Sequence, residues 1–84
     1  MAKILYFASL AETLGLRSEQ LDLPSDCDSV ADLVALLRAR GEPFDSTFDG
    51  KTRVLVAINQ QMSDADVTIS SNDEIAFFPP VTGG

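Results

Sequence analysis

The chain lacks the residues on which many active sites depend. It contains no histidine and only one cysteine, Cys27. A zinc site with Cys and His ligands, a Ser-His or Cys-His nucleophile pair and an internal disulfide are therefore excluded. Cys27 lies between Asp26 and Asp28, whose charges should raise the pKa of its thiol, so we interpret it as structural or incidental. We expect the chain to bind no metal and no cofactor.

Positive charge is also scarce. Six Lys and Arg residues face 13 Asp and Glu residues, which gives a net charge of −7. This charge repels phosphate backbones and anionic lipids, so we predict neither nucleic-acid nor membrane binding. It would suit a partner with basic patches, although solubility alone explains it equally well. No apolar run approaches the ~18 residues of a transmembrane helix and no signal-peptide pattern opens the chain, so a cytoplasmic location is expected.

Hydrophobic residues make up 45% of the 84 positions and are spread along the whole chain. This composition is typical of one small globular domain. Apolar, β-branched and aromatic residues predict strands at 3–8, 17–23, 53–58 and 74–78. Short turns are predicted at 9–14, 44–48, 59–60 and 71–73, and a short extended piece at 67–69.

The clearest helix is predicted from Ser29 to Arg40. Ser29 and Asp32 have the spacing of a capping box, and Gly41 is a natural stop. The helix carries one apolar stripe at positions i, i+3, i+4 and i+7, formed by Val30, Leu33, Val34 and Leu37. One amphipathic helix and about four strands favour an α+β fold, in which a mixed sheet is covered on one face. This is the β-grasp arrangement, with a domain at 1–78 and an extended tail at 79–84.

Alternation along the strands assigns side chains to the two faces of that sheet. The face toward the helix is predicted to carry Ile4, Tyr6, Ala8, Val54, Val56, Ile58, Ile75 and Phe77. The open face is then predicted to carry Phe7, Leu55, Ala57 and Phe78, with Met62 close by. Exposed apolar patches commonly mark interaction sites, so Phe7, Met62 and Phe78 are candidate partner-binding residues. The alternative is that loops bury this face within the monomer.

The chain ends Pro79-Pro80-Val81-Thr82-Gly83-Gly84. Two prolines stiffen the exit from the last strand, and six residues can span roughly 20 Å. Because glycine has no Cβ, the two glycines would let the backbone pass through a narrow channel. The alternative is a frayed terminus, although a Gly-Gly end that follows two prolines favours the motif. A terminal carboxylate is ionised at pH 7 and must be activated, for example by adenylation, before it can carry a group. The chain has no phosphate-binding loop, so a separate enzyme must do this.

The segment 73–84, DEIAFFPPVTGG, resembles the C-terminal signature of the small subunits of molybdopterin synthase. The opening KILYFA at 3–8 and VAINQ at 56–60 are also similar to that family. Asn72 departs from it, because the family usually has glycine there. We expect the hairpin to survive, since asparagine tolerates a left-handed turn.

The resemblance implies a ubiquitin-like sulfur carrier that has no activity alone. An E1-like adenylyltransferase would use ATP to adenylate Gly84, and a sulfur donor would convert it to a thiocarboxylate. Pro80, Val81, Thr82, Gly83 and Gly84 would insert into the large catalytic subunit of a heterotetramer. There the sulfur would pass to cyclic pyranopterin monophosphate, in molybdenum cofactor biosynthesis.

Three alternatives remain open. One is a sulfur carrier of thiazole synthesis, which shares the fold and the Gly-Gly end. Another is a ubiquitin-like protein modifier, in which an amine takes the place of sulfur. The last is an interaction module whose tail is incidental.

Overall fold

The computed structural model describes residues 1–51 and 53–80. The elements along the chain are β1 (Ala2–Tyr6), α1 (Ser9–Leu14), β2 (Ser18–Leu21), α2 (Val30–Arg38), α3 (Phe44–Thr47), β3 (Leu55–Ile58), β4 (Gln61–Ser63) and β5 (Glu74–Phe78). The strands form one sheet in the order β2-β1-β5-β3-β4. β1 and β5 run parallel, and the other neighbours are antiparallel. The predicted α+β fold, a β-grasp with a mixed sheet, is confirmed.

The core lies between one face of the sheet and α2. Its largest fully buried side chains come from β1, α2 and β5: Ile4, Leu33, Leu37, Ile75 and Phe77. These strand residues are among those that alternation assigned to the helix-facing side, and the stripe residues Val30, Leu33 and Leu37 are buried as predicted. The predicted turn at 44–48 contains α3, and Phe48 beyond it is buried against Phe77 at 5.1 Å between ring centroids.

Capping determines where α2 begins. The Ser29 hydroxyl accepts a hydrogen bond from Asp32 N–H at 3.2 Å, and Asp32 Oδ2 accepts one from Asp28 N–H at 3.0 Å. The backbone N–H of Asp28 and the Ser29 hydroxyl lower the pKa of Asp32. The helix ends two residues earlier than predicted, at Arg38, because Arg40 and Gly41 N–H bond to carbonyls only three residues back.

Three details of the sheet differ from the prediction. β1 ends at Tyr6, so Ala8 is exposed rather than facing the helix. β4 was not predicted, because its three residues carry no apolar alternation and only pairing with β3 makes them a strand. Ala57 lies on the open face but is only 7% exposed. Its small side chain sits between Ala76 and Met62 on the flanking strands, which cover it.

Residues 59–60 form the predicted tight turn, between β3 and β4. Asn59 and Gln60 both have positive φ, 49° and 71°, which is the geometry of the turn type that joins two-residue hairpins. The Asn59 amide donates to Asp73 Oδ1 and accepts from Glu74 N–H, both at 3.0 Å. The hydrogen bond from the Asn59 side-chain amide, together with one from Ser70 N–H to Asp73 Oδ2, lowers the pKa of Asp73. Asn72 keeps its turn without the left-handed backbone that we expected, since its φ is not positive.

A partly buried polar network joins β1, β2 and the end of α2. Tyr6 donates its hydroxyl to Glu19 Oε2 at 2.8 Å, and Arg40 binds both Glu19 oxygens at 2.9 and 2.8 Å. Burial would raise the pKa of Glu19, but the hydrogen bonds from Arg40 and Tyr6 outweigh it and the pKa is lowered. Burial and the same carboxylate raise the pKa of Tyr6. The Arg40 guanidinium also lies 4.9 Å from the Phe44 ring centroid.

Cys27 is half-buried, and burial together with Asp32, Asp26 and Asp28 raises the pKa of its thiol, as expected. Within residues 1–51 and 53–80, no helix has the length and apolar character needed to cross a bilayer. Residues 67–69 are extended, with an isolated bridge from Thr68 to Ser29.

Candidate docking surface at the end of the last strand

β5 determines where the chain leaves the domain. It lies in the middle of the sheet and pairs with β1 on one side and β3 on the other. It leads directly into Pro79 and Pro80, which are half-buried. The predicted insertion residues Val81, Thr82, Gly83 and Gly84 lie outside the described residues, so their role remains a prediction.

The open face of the sheet carries a continuous apolar surface. Strand register places Leu5, Ala76, Ala57 and Met62 side by side in one row across it. A second apolar group lies nearer the end of β5, where Leu55 faces Phe78. We call these residues, together with Phe7, the open-face patch.

Phe7 and Phe78 form the part of the open-face patch nearest the chain exit. Their ring centroids are 6.3 Å apart with an interplanar angle of 77°, an edge-to-face contact. Phe7 is 48% exposed and Met62 is 62% exposed, whereas Phe78 is half-buried. Three large apolar side chains on one face of a strongly acidic protein are unfavourable in water unless a partner covers them. The structure thus brings Phe7, Met62 and Phe78 to one face, as predicted, and their contact with a partner remains a prediction.

The opposite end of this face is polar. Lys3 on β1 pairs in register with Gln20 on β2 and with Glu74 on β5. Lys3 is exposed and Glu74 is half-buried. The open face is therefore asymmetric, since the aromatic end of the open-face patch adjoins Pro79 and the polar residues lie at the other end of the face.

The corner between β1 and α1 extends this surface around the edge of the aromatic end. A shallow groove of about 590 Å³ is lined there by Phe7, Ala8, Ala11, Leu16 and Arg17, among others. The Phe7 N–H donates to the Phe77 carbonyl at 3.0 Å, which ties the corner to β5. Sequence reasoning did not identify this groove. The strand alternation that placed Ala8 inside the core gave no signal for it.

The described residues contain no group of three or more His, Cys, Asp or Glu side chains that could hold a metal ion. The carboxylates with lowered pKa, at positions 19, 32 and 73, are bonded within the fold and not grouped around a pocket. The surface at the end of β5 is apolar and aromatic, with Phe7 and Phe78 as its largest side chains.

Comparisons with known proteins agree with this architecture. The chain is 40% identical to the molybdopterin synthase sulfur carrier subunit of Dictyostelium discoideum, over 98% of this chain and 94% of that protein. It is 35% identical to the subunit of the same name from Escherichia coli, over the full length of both. Among solved structures, small archaeal modifier protein 1 of Haloferax volcanii is similar with a TM-score of 0.76 and 28% identity, covering 95% of this chain and 97% of that one.

The match to a family spans almost the whole chain, from residue 4 in β1 to residue 84. It includes the buried face of β1 and β5, the open-face patch and the segment after Pro80. The chain belongs to the ThiS family.

Proposed function

We propose that this chain is the sulfur carrier subunit of a molybdopterin synthase and that the carboxylate of Gly84 is the group that carries sulfur. The observation that carries the proposal is full-length similarity to subunits of that name, at 35% and 40% identity, through the Gly-Gly end. Because it has no histidine, the chain cannot form a Ser-His or Cys-His nucleophile pair. Its role is stoichiometric, and catalytic acids and bases belong to the partner.

Loading takes place in two steps on an activating enzyme of the E1-like class. The Gly84 carboxylate attacks the α-phosphate of ATP, forming an acyl-adenylate and releasing pyrophosphate. A sulfur nucleophile at the sulfide level then attacks the acyl carbon, so that a C–S bond forms as the C–O bond to AMP breaks, and loss of the S–H proton leaves a thiocarboxylate. The ATP belongs to the activating enzyme, since this sequence contains neither common phosphate-binding glycine motif.

Delivery takes place in the large, catalytic subunit, which holds the pyranopterin substrate. The thiocarboxylate sulfur attacks a substrate carbon and displaces an oxygen substituent there, which forms a thioester between carrier and substrate. Water then cleaves the acyl C–S bond, which leaves the sulfur on the substrate and returns the terminus to a carboxylate. The chain is then ready to be loaded again. Pro80, Val81, Thr82 and Gly83 form the segment that reaches into the channel, and two small and two large subunits form the complex.

The open-face patch supports this mode of docking. A partner that receives the residues beyond Pro80 must contact the end of the sheet from which they leave. Phe7 and Phe78 lie at that end, and Met62 extends the contact along the row toward β4. The activating enzyme and the catalytic subunit must both receive the same segment, so they bind in competition.

Intact mass spectrometry tests the proposal. Protein produced with its activating enzyme and sulfur donor should be about 16 Da heavier than the unmodified chain, since one sulfur replaces one oxygen. Deleting Gly84 should abolish this mass shift and all transfer to the pyranopterin, and should leave the melting temperature unchanged. An unmodified mass under loading conditions, or transfer by the deletion variant, would refute the role of Gly84.

Gly83→Ala is a finer test of the channel. The variant should still bind the catalytic subunit through the open-face patch, but the added methyl should crowd the channel and slow transfer. Isothermal titration and a single-turnover assay separate the two effects. Unaltered transfer would show that the channel does not require glycine at this position.

The similarity to a small archaeal modifier protein favours one second candidate function, ligation to other proteins. The activated carboxylate would be the same, and a lysine amine would replace sulfur as the nucleophile. Covalent adducts that survive reducing agents, with the chain attached to lysine, would support this function.

Co-purification of the chain with a thiazole-forming enzyme, instead of with a catalytic synthase subunit, would favour the thiazole-synthesis carrier.

A further inference from the structure

Ala8 holds an unusual backbone conformation at the corner between β1 and α1. Its φ is 54° and its ψ is −130°, and the Phe7 carbonyl accepts a hydrogen bond from Leu10 N–H at 3.1 Å. Residues 7–10 therefore form a type II′ turn, whose second residue has φ near about +60° and ψ near about −120°. Glycine is the usual residue there, because a Cβ is strained in this conformation.

Hydrogen bonds on both sides hold Ala8 in place. The Phe7 N–H donates to the Phe77 carbonyl at 3.0 Å, and the Ala8 carbonyl accepts from Ala11 N–H at 3.1 Å. Strain of this kind persists only where surrounding structure determines it, and it clusters at functional sites. Because the Ala8 methyl group causes this strain, a compensating contact is needed to explain why alanine occupies the position.

Packing within the monomer does not provide such a contact. Ala8 is exposed, and its side chain is not part of the buried core. It lines the corner groove beside Phe7 and Leu16 instead. Glycine would form the same turn without strain, so the monomer alone would be more stable without the methyl group.

The location of Ala8 points to a partner. Residue 8 follows Phe7 at the end of the sheet where β5 leads to Pro79, so any protein that receives the residues beyond Pro80 meets this corner as well. We propose that the Ala8 methyl is a contact of the docking surface, which thus continues from the open-face patch over the β1–α1 corner into the groove. Its occupant is the subunit that accepts the tail, which is the catalytic subunit of molybdopterin synthase under the proposed function on which this inference rests.

The test is Ala8→Gly in the full chain, measured in two assays. Relief of strain should raise the melting temperature of the monomer by about 4–8 °C, the shift that a small domain shows for a modest gain in stability. Loss of one buried methyl should weaken binding to the purified catalytic subunit about fourfold. A residue that matters only for folding would move stability and affinity in the same direction.

Ala35→Gly is the matched control. Ala35 is exposed in the interior of α2, on the far side of the sheet from the open-face patch. Glycine in a helix interior is destabilising, so this variant should melt several degrees lower and bind with unchanged affinity. Titration calorimetry on the wild type and both variants gives the comparison.

The outcomes separate the two proposals. Tight binding by the wild type with unchanged or stronger binding by Ala8→Gly would overturn the Ala8 contact alone. A lower melting temperature for Ala8→Gly would overturn the argument from strain. Failure of the wild type to bind the catalytic subunit would refute the proposed function and, with it, the occupant named here.

Discussion

Phe77 and Phe78 are adjacent in the sequence and point to opposite faces of β5. Substituting each in turn tests whether the buried face determines the stability of the domain and the open face determines its binding to partners. Phe77 is 1% exposed and packs against Phe48 and Tyr6, with ring centroids 5.1 and 6.2 Å away. Phe78 is half-buried and has one edge-to-face partner, Phe7. The same substitution at the two positions should therefore have different effects.

Phe77→Ala should be severely destabilising. Truncating a buried phenylalanine costs about 3–5 kcal/mol, because it removes apolar contacts and leaves a cavity. A chain of this size has a free energy of unfolding of about 4–13 kcal/mol. The loss corresponds to a melting temperature at least about 12 °C lower. On thermal melts followed by circular dichroism, the variant should be partly unfolded at ordinary temperatures.

Phe78→Ala should leave the monomer nearly intact. The aromatic pair with Phe7 is worth about 0.5–1.5 kcal/mol, so a fall of about 2–12 °C in melting temperature is expected, below the range for Phe77→Ala. If Phe78 is a central anchor of the docking surface, both complexes should weaken by about 2 kcal/mol or more, which is about 30-fold in Kd. Titration against the activating enzyme and the catalytic subunit measures this directly.

Two results would refute the reasoning. Equal loss of stability in Phe77→Ala and Phe78→Ala would mean that both faces are buried within the monomer. Unchanged affinity of Phe78→Ala for both partners would mean that the open-face patch is not the docking surface. Met62→Ala is a useful companion, because Met62 is 62% exposed and should affect binding with almost no change in melting temperature.

Three further predictions concern the fold. Ser29→Ala should lower the free energy of unfolding in urea by about 1 kcal/mol, since the Asp32 N–H loses its cap; an unchanged midpoint would contradict this. Asn59→Ala should cost about 2 kcal/mol in the same assay, because it removes two hydrogen bonds at a positive φ, whereas Asn59→Gly should recover part of the loss. Glu19 has a lowered pKa, so its stabilising effect is present above its ordinary pKa of about 4.3 and is lost as pH falls through the folded value. Glu19→Gln should therefore differ most from the wild type near neutral pH and converge with it in acid; a constant difference would exclude this linkage.

Much of the fold could be predicted because the sequence signals are local and strong. β5 begins and ends as predicted, and α2 begins where the Ser29 cap places it. β4 could not be predicted, since Gln61 to Ser63 become a strand only by pairing with β3. Ala57 lies on the predicted face, but its burial could not be predicted because it depends on the neighbouring strands. Ala8 was placed on the wrong side, because its exposure depends on a turn that glycine usually forms.

The candidate site was predictable in part. Alternation along β1 and β5 was enough to bring Phe7 and Phe78 to one face, and residue order placed that face beside the tail. Met62 could be placed only loosely from the sequence, because its face depends on the register with Ala57. The corner groove required the backbone conformation of Ala8, for which a single sequence contains no signal. The chemistry proposed for Gly84 rests on family resemblance, since a carboxylate alone does not reveal what it would carry.

The central position of β5 also determines how the domain responds to mechanical force. Hydrogen bonds join β5 to β1 along one edge and to β3 along the other. A pull on the chain beyond Pro80 that is directed along the strand axis loads both ladders in shear, so many bonds must break together before the strand slips. An edge strand pulled across its ladder would instead open one bond at a time. Under the proposed function, a load that a partner applies through this segment would therefore be shared across the middle of the sheet while the domain stays folded.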